Sequence, residues 1–206
     1  MVLVRTIHVF IKLVPVILAL RKDRILWISQ EGKNVDEKRF RRNAQRILNT
    51  CISLGPVFIK FGQWLSSRAD ILPQPYLEEL SKLQDNVPAV SFEKIRPIIE
   101  EDIGNIEEKF DNLDQNSLSG ASLGQVHLAT KNGQQVIVKV KRPGIEKQVE
   151  KDLKVLMKII PFAMRFVDPN LKFSIIPIMK QFAESIHEEM DYSKESENLK
   201  KIKKNM

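Results

Sequence analysis

The stretch GASLGQVHLATKNGQQVIVKVKRPG, from Gly120 to Gly144, decides how this chain is read. Its two runs, GQVHLAT and QQVIVKVK, have the β-branched and alternating character of short strands. Lys131-Asn132-Gly133 joins them, and Asn-Gly is the strongest short hairpin signal. Pro143-Gly144 ends the second run. On that strand Ile137, Lys139 and Lys141 share one face, while Val138 and Val140 point the other way.

A hairpin of this kind, entered through small residues and ending in a buried lysine, has the shape of a nucleotide-binding element. A strand lysine aimed at the α and β phosphates, steadied by a helix glutamate, is how a kinase N-lobe holds its nucleotide. VIVKV alone is also explained by a surface lysine on an edge strand. The combination with the preceding loop carries more weight than the lysine.

Working outward, the pattern on both sides is helical. Upstream, Phe40, Ala44, Ile47, Leu48, Cys51 and Ile52 recur at helical spacing, with arginines opposite. Gly55-Pro56 punctuates, and VFIKFGQWLSSRADIL reads as a second apolar-faced helix running to Leu72. Two shorter helices follow, the second opened by Ser91 as N-cap and closed by Gly104. Downstream, two long helical patterns run from about Ile145 to Val167 and from Phe173 to Lys203, separated near Asp168-Pro169. Helices, then a small antiparallel sheet, then helices make an α+β protein.

Composition fits a folded chain: 43% apolar and 29% charged residues, with only 8 glycines in 206 residues. The single cysteine, Cys51, excludes an internal disulfide and a cysteine metal cluster, and its place on an apolar stripe makes it a buried thiol. A net charge of +7 favours anionic partners. The charge gathers at Arg21, Lys22, Arg24, Lys38, Arg39, Arg41 and Arg42 and again at Lys200, Lys201, Lys203 and Lys204. Neither an RNA-binding aromatic signature nor zinc-finger spacing accompanies it, so nucleic acid is the least supported partner. The first twenty residues are apolar except Arg5, Thr6, His8, Lys12 and Pro15. The run after Lys12 is too short to span a bilayer. A helix lying in the interface, its neighbouring basic residues on acidic lipid, fits this segment; a helix packed on its own domain is the alternative.

Four segments carry a resemblance: KFGQ (60–63), SGASLGQVHLA (119–129), VIVKVKRPG (136–144) and EEMDYSKESEN (188–198). In this order and spacing they resemble the N-terminal signatures of the UbiB/AarF atypical kinase-like proteins, and LGPVFIKFGQWLSSRADILP matches closely. The resemblance covers about Leu54 to the C-terminus. It implies a protein-kinase-like N-lobe preceded by a helical extension, without a C-lobe. The corresponding segments are a membrane-interface stretch (1–34), the extension (35–104) and the N-lobe (105–206).

What the resemblance implies for function follows residue by residue. Ser119, Gly120, Ala121 and Ser122 form the loop over ATP, with Gly120 where the family more often has alanine. Lys139 grips the phosphates and Glu195 is its helix partner. Lys60, Gly62 and Gln63 form the Lys-x-Gly-Gln motif, and Glu189 and Asp191 the Glu-x-Asp motif. Geometry constrains these roles, since Glu189 and Glu195 lie about 240° apart around one unbroken helix. Two lysines, Lys139 and Lys60, would give each glutamate its own partner. No catalytic base and no metal ligand is assigned, so magnesium enters only if a C-lobe is supplied. The family's tie to quinone and isoprenoid-lipid metabolism implies a peripheral protein on the cytoplasmic side of a membrane, with quinone-pathway proteins as partners. A non-catalytic adaptor binding lipid or protein is the alternative.

Overall fold

A computed structural model describes residues 2–33, 35–83, 88–167 and 172–205. The chain divides into two compact units: Met1–Leu83 with Glu150–Met206, and Gln84–Val149.

In the second unit, helices α5 (Phe92–Ile103) and α6 (Ile106–Lys109) precede a three-stranded antiparallel sheet in the order β1 (Asn112–Gly120), β2 (Gly124–Lys131) and β3 (Gln134–Lys141). Lys131 pairs with Gln134 across the Asn132-Gly133 turn, where both residues have positive φ, as the hairpin signal requires. Strand β1 is the element the sequence reading lacked. Its nine residues bury only Leu113, and its pairing with β2 is irregular on either side of Ser117, so it shows no period-two pattern. Ile95 and Ile99 of α5 pack with Ile106, Leu113, Ala129 and Val140 into this unit's core, joined by Val136 and Val138. Gly104, at φ 83°, closes α5 as expected, whereas Ser91 makes no side-chain cap bond to it.

One buried polar network ties the segment before α5 to the sheet. Gln125 accepts from the Val90 backbone N–H at 2.8 Å and donates to the Val90 carbonyl at 3.0 Å. Its amide nitrogen also lies 2.9 Å from His127 Nε2, while His127 Nδ1 lies 2.7 Å from the Asp114 carbonyl. A neutral imidazole with its proton on Nδ1 satisfies every contact.

In the first unit, α1 (Val2–Ser29), α2 (Glu37–Leu54), α3 (Pro56–Leu65) and α4 (Gln74–Leu80) are followed by the larger part of α7 (Ile145–Val167), α8 (Lys172–Met190) and α9 (Tyr192–Asn205). Asp36 caps α2 by accepting from Arg39 N–H, and Gly55, at φ 101°, turns the chain into α3. Phe40, Ala44, Ile47, Leu48 and Cys51 are buried as their spacing predicts, but Ile52 is exposed. Helix α3 ends at Leu65, short of Leu72. Ser66 and Ser67 donate back to the carbonyls of Gln63 and Trp64, and Arg68 pairs with Asp70 in the irregular segment beyond. The expected separation at Asp168-Pro169 lies outside the described residues.

Helix α1 is longer than the apolar run after Lys12 that reads as too short to span a bilayer. It continues through Pro15 for 28 residues and is long and apolar enough, by length and composition, to cross a membrane. It is also fastened sideways to its own unit. Arg5 makes a bidentate pair with Asp152 at 2.8 Å, Lys12 donates to Ser53, and buried Asp23 receives Arg39, Asn43 and Tyr76. Arg5 and Lys12, two of the few polar residues in this segment, therefore anchor the helix to its own unit.

The Val90 network yields a prediction. Gln125→Leu leaves the Val90 N–H and carbonyl and His127 Nε2 without partners, at a cost of roughly 1–3 kcal/mol. Urea unfolding should show this loss, and an unchanged midpoint would mean water replaces the amide.

Candidate functional site

The sheet register places Lys139. Val126 on β2 lies opposite Ser119 on β1 and opposite Lys139 on β3, so these three residues form a cross-strand row on one face. Val136, Val138 and Val140 occupy the other face against the core. Lys139 and Ser119 thus share a face, as a phosphate-gripping lysine and its loop require. Lys139 is exposed, however, rather than buried, because its face carries Ile137, itself 59% exposed, and not the α5 side. Lys141, on the same face, pairs with Glu146 at 2.7 Å.

The four loop residues divide. Ser119 and Gly120 end β1, paired with Val126 and Gln125, while Ala121 and Ser122 make the turn. Ser119 is exposed, Gly120 and Ala121 are half-buried, and Ser122 is fully buried. The turn is fastened by Arg142, which sequence reasoning passed over. Its Nε donates to the Ala121 carbonyl at 2.9 Å, its Nη2 to the Pro88 carbonyl at 2.9 Å, and its backbone N–H to Leu123 at 3.1 Å. Burial holds its pKa below the ordinary guanidinium value. The available signal was a basic residue directly before Pro143-Gly144, one position past a strand.

The motif residues of the first unit come together around α3 and α8. Lys60 Nζ lies 2.6 Å from Glu189 Oε1, the lysine 13% and the glutamate 42% exposed. This joins α3 to α8. Gln63 donates to the Leu83 carbonyl at 3.1 Å. A side chain at Gly62 would collide with Leu83 Cδ1 and approach Cys51 Sγ at 3.2 Å, so glycine there permits close packing. Lys60, Gln63, Trp64, Phe182 and Glu189 border a recess of about 190 Å³. Phe61, Trp64 and Phe182 cluster with ring centroids 5.0–6.2 Å apart.

The last helix is not continuous. It breaks at Asp191, whose carboxylate accepts from Lys194 N–H at 3.0 Å and so starts α9. Glu189 ends up on α8 and Glu195 on α9, which removes the conflict of aiming both from one helix. Between them, burial and the carboxylates of Glu195 and Glu189 push Tyr192 up to about 12. Lys139 belongs to the second unit and Glu195 to the first. Cys51 is buried, and desolvation raises its thiol to about 12, as an inert packing residue requires. Among the described residues no group of three or more His, Cys, Asp or Glu side chains could hold a metal ion.

A small antiparallel sheet with an outward-facing lysine, on a largely helical chain, is the arrangement of a kinase-like N-lobe with a helical extension. The ABC1 atypical kinase-like domain matches residues 82–206. The chain is 40% identical over 177 residues to the Arabidopsis thaliana protein Activity of BC1 complex kinase 8, chloroplastic, covering 82% of this chain and 23% of that protein. It is 37% identical over 156 residues to the probable protein kinase UbiB of Aeromonas salmonicida, covering 74% of this chain and 29% of the relative. A Mycobacterium tuberculosis protein solved with erythromycin is 26% identical, with a TM-score of 0.37, over 60% of this chain and 32% of that one. The chain belongs to the ABC1 atypical kinase-like family. It spans between about a quarter and a third of the length of these relatives.

The Lys60–Glu189 pair is half-exposed on its acidic side, which limits what it contributes. A double-mutant cycle of Lys60→Met and Glu189→Gln in thermal unfolding should return an interaction of about 0.5–1 kcal/mol. A value indistinguishable from zero would make the contact incidental. Cys51 should stay unreactive to a thiol reagent in the native protein and react only at the global unfolding rate; fast labelling would place it in an opening segment.

Proposed function

We propose that this chain is the nucleotide-facing portion of a UbiB-type atypical kinase-like ATPase or phosphotransferase that works at a membrane surface in quinone or isoprenoid-lipid metabolism. One observation carries the reading. Lys139 stands in a cross-strand row with Ser119 on the open face of the sheet, beside the turn that Arg142 fastens.

The residues present fit ATP in kind. A flexible ammonium on a rigid strand can meet the α and β phosphates as a point charge, and fixing the turn lowers the ordering cost of binding. Gly120 allows closer backbone approach than the alanine more usual in the family. Glu195 lies in the first turn of α9, and Lys60–Glu189 is a pair that steadies α3 on α8. ATP supplies the transferable phosphoryl group when bound. Magnesium ligands and a catalytic base are proposed to come from a C-lobe.

Two features support the membrane part. UbiB appears among the names of the relatives, and α1 exposes Leu3, Val4, Ile7 and Ile11 at 51–72% of their surface. Quinone chemistry rests on the family resemblance alone.

The test is nucleotide affinity, followed with a fluorescent ATP analogue. Lys139→Met should weaken binding about tenfold or more, the scale of a charged contact to phosphate. Lys141→Met, on the same face but paired with Glu146, should change it by no more than about threefold. Equal effects of the two substitutions would overturn the assignment of Lys139. The 206-residue chain alone should bind without hydrolysing; a rate that persists through purification and vanishes in Lys139→Ala would place a catalytic site within it.

A further inference from the structure

Between α1 and α2 lies a recess of about 300 Å³ that the nucleotide reading does not use. Arg39, Arg42 and Arg46 follow one another at three- and four-residue steps, so they line one face of α2. Pro15, Leu18 and Lys22, likewise three and four apart, line the facing side of α1. Four cationic side chains thus surround one opening. Arg39 is held by buried Asp23, Oδ1 to Nη2 2.7 Å, and Asn43 donates to the same carboxylate at 2.9 Å. Among the described residues no ion pair or side-chain hydrogen bond engages Lys22, Arg42 or Arg46, and all three are exposed. The recess therefore keeps a net positive charge with no internal counter-ion beyond Asp23.

Its surroundings are apolar on one side only. Val4, Ile11, Leu18 and Ile25 recur every seven residues along α1 and are 72%, 65%, 43% and 52% exposed. Leu18 belongs both to this stripe and to the rim of the recess. A cationic cleft opening directly onto an exposed apolar rail matches an amphiphile: an anion in the cleft, acyl chains along the rail. A nucleic acid would satisfy the cations and leave the rail in water.

We infer that Lys22, Arg42 and Arg46, over the Arg39–Asp23 floor, form a binding site for the phosphodiester headgroup of an anionic phospholipid. The site seats α1 in the plane of the membrane surface with its apolar stripe in the acyl region. This rests on the membrane reading proposed above and adds to it a defined headgroup site and the orientation of α1.

The experiment is flotation of the full chain with vesicles of phosphatidylcholine alone or mixed with phosphatidylglycerol, at about 0.1 M ionic strength, where exposed charges are partly screened. The wild type should favour the mixed vesicles. Arg42→Gln with Arg46→Gln should reduce affinity for them by about tenfold or more, while Lys200→Gln with Lys201→Gln, the same charge change on exposed α9, should stay within about twofold. Inorganic phosphate at matched ionic strength should not displace the protein.

Equal losses in the two double variants would mean diffuse attraction and overturn the site. Full binding by the recess variant would overturn the site while leaving the membrane reading intact. Displacement by inorganic phosphate would make the ligand a free anion and overturn the lipid assignment. No binding of the wild type to either vesicle would overturn both readings together.

Discussion

A side chain on a β-strand has only two faces to choose between, and three valines make that choice for Lys139. Val136, Val138 and Val140 pack toward Ile95 and Ile99 of α5, which commits the odd-numbered residues of β3 to the open face. A slip of one residue would bury Lys139 without a counter-charge and expose the valines, each a cost of kilocalories. The Asn132-Gly133 turn fixes the register that prevents it. The face that Lys139 occupies is thus set by its apolar neighbours on the strand.

A second constraint acts on the acidic residues. A single helix from Phe173 to Lys203 could not aim Glu189 and Glu195 at one place, and the chain resolves this by ending α8 at Met190. Asp191 starts the next helix with its own carboxylate. One residue of the Glu-x-Asp motif therefore pairs with Lys60 while the other resets the helix direction. The motif is a joint as well as a charge cluster.

Much of this was legible beforehand, for identifiable reasons. The hairpin declared itself because a two-residue Asn-Gly turn and β-branched alternation are local signals. Gly62 and the Lys60–Glu189 pair were reachable through motif resemblance. Strand β1 was not, because an irregular edge strand with one buried residue leaves no periodicity to read. The exposure of Lys139 was missed because periodicity gives a face, not what covers it. The length of helix α1 is hidden in the sequence because Lys12 interrupts its apolar run, whereas Arg5, Lys12 and Asp23 have partners in their own unit. Arg142 acts through backbone carbonyls at Ala121 and Pro88, contacts that sequence spacing does not encode.

The central claim is that the open face of this hairpin meets phosphate through Lys139. Lysine acylation footprinting read by peptide mass spectrometry tests it at the residue itself. ATP should shield Lys139 several-fold from labelling, AMP should shield it far less because it lacks the β phosphate, and Lys131 at the hairpin turn should label equally under all conditions. Labelling of Lys139 that is unchanged by saturating ATP would contradict the claim.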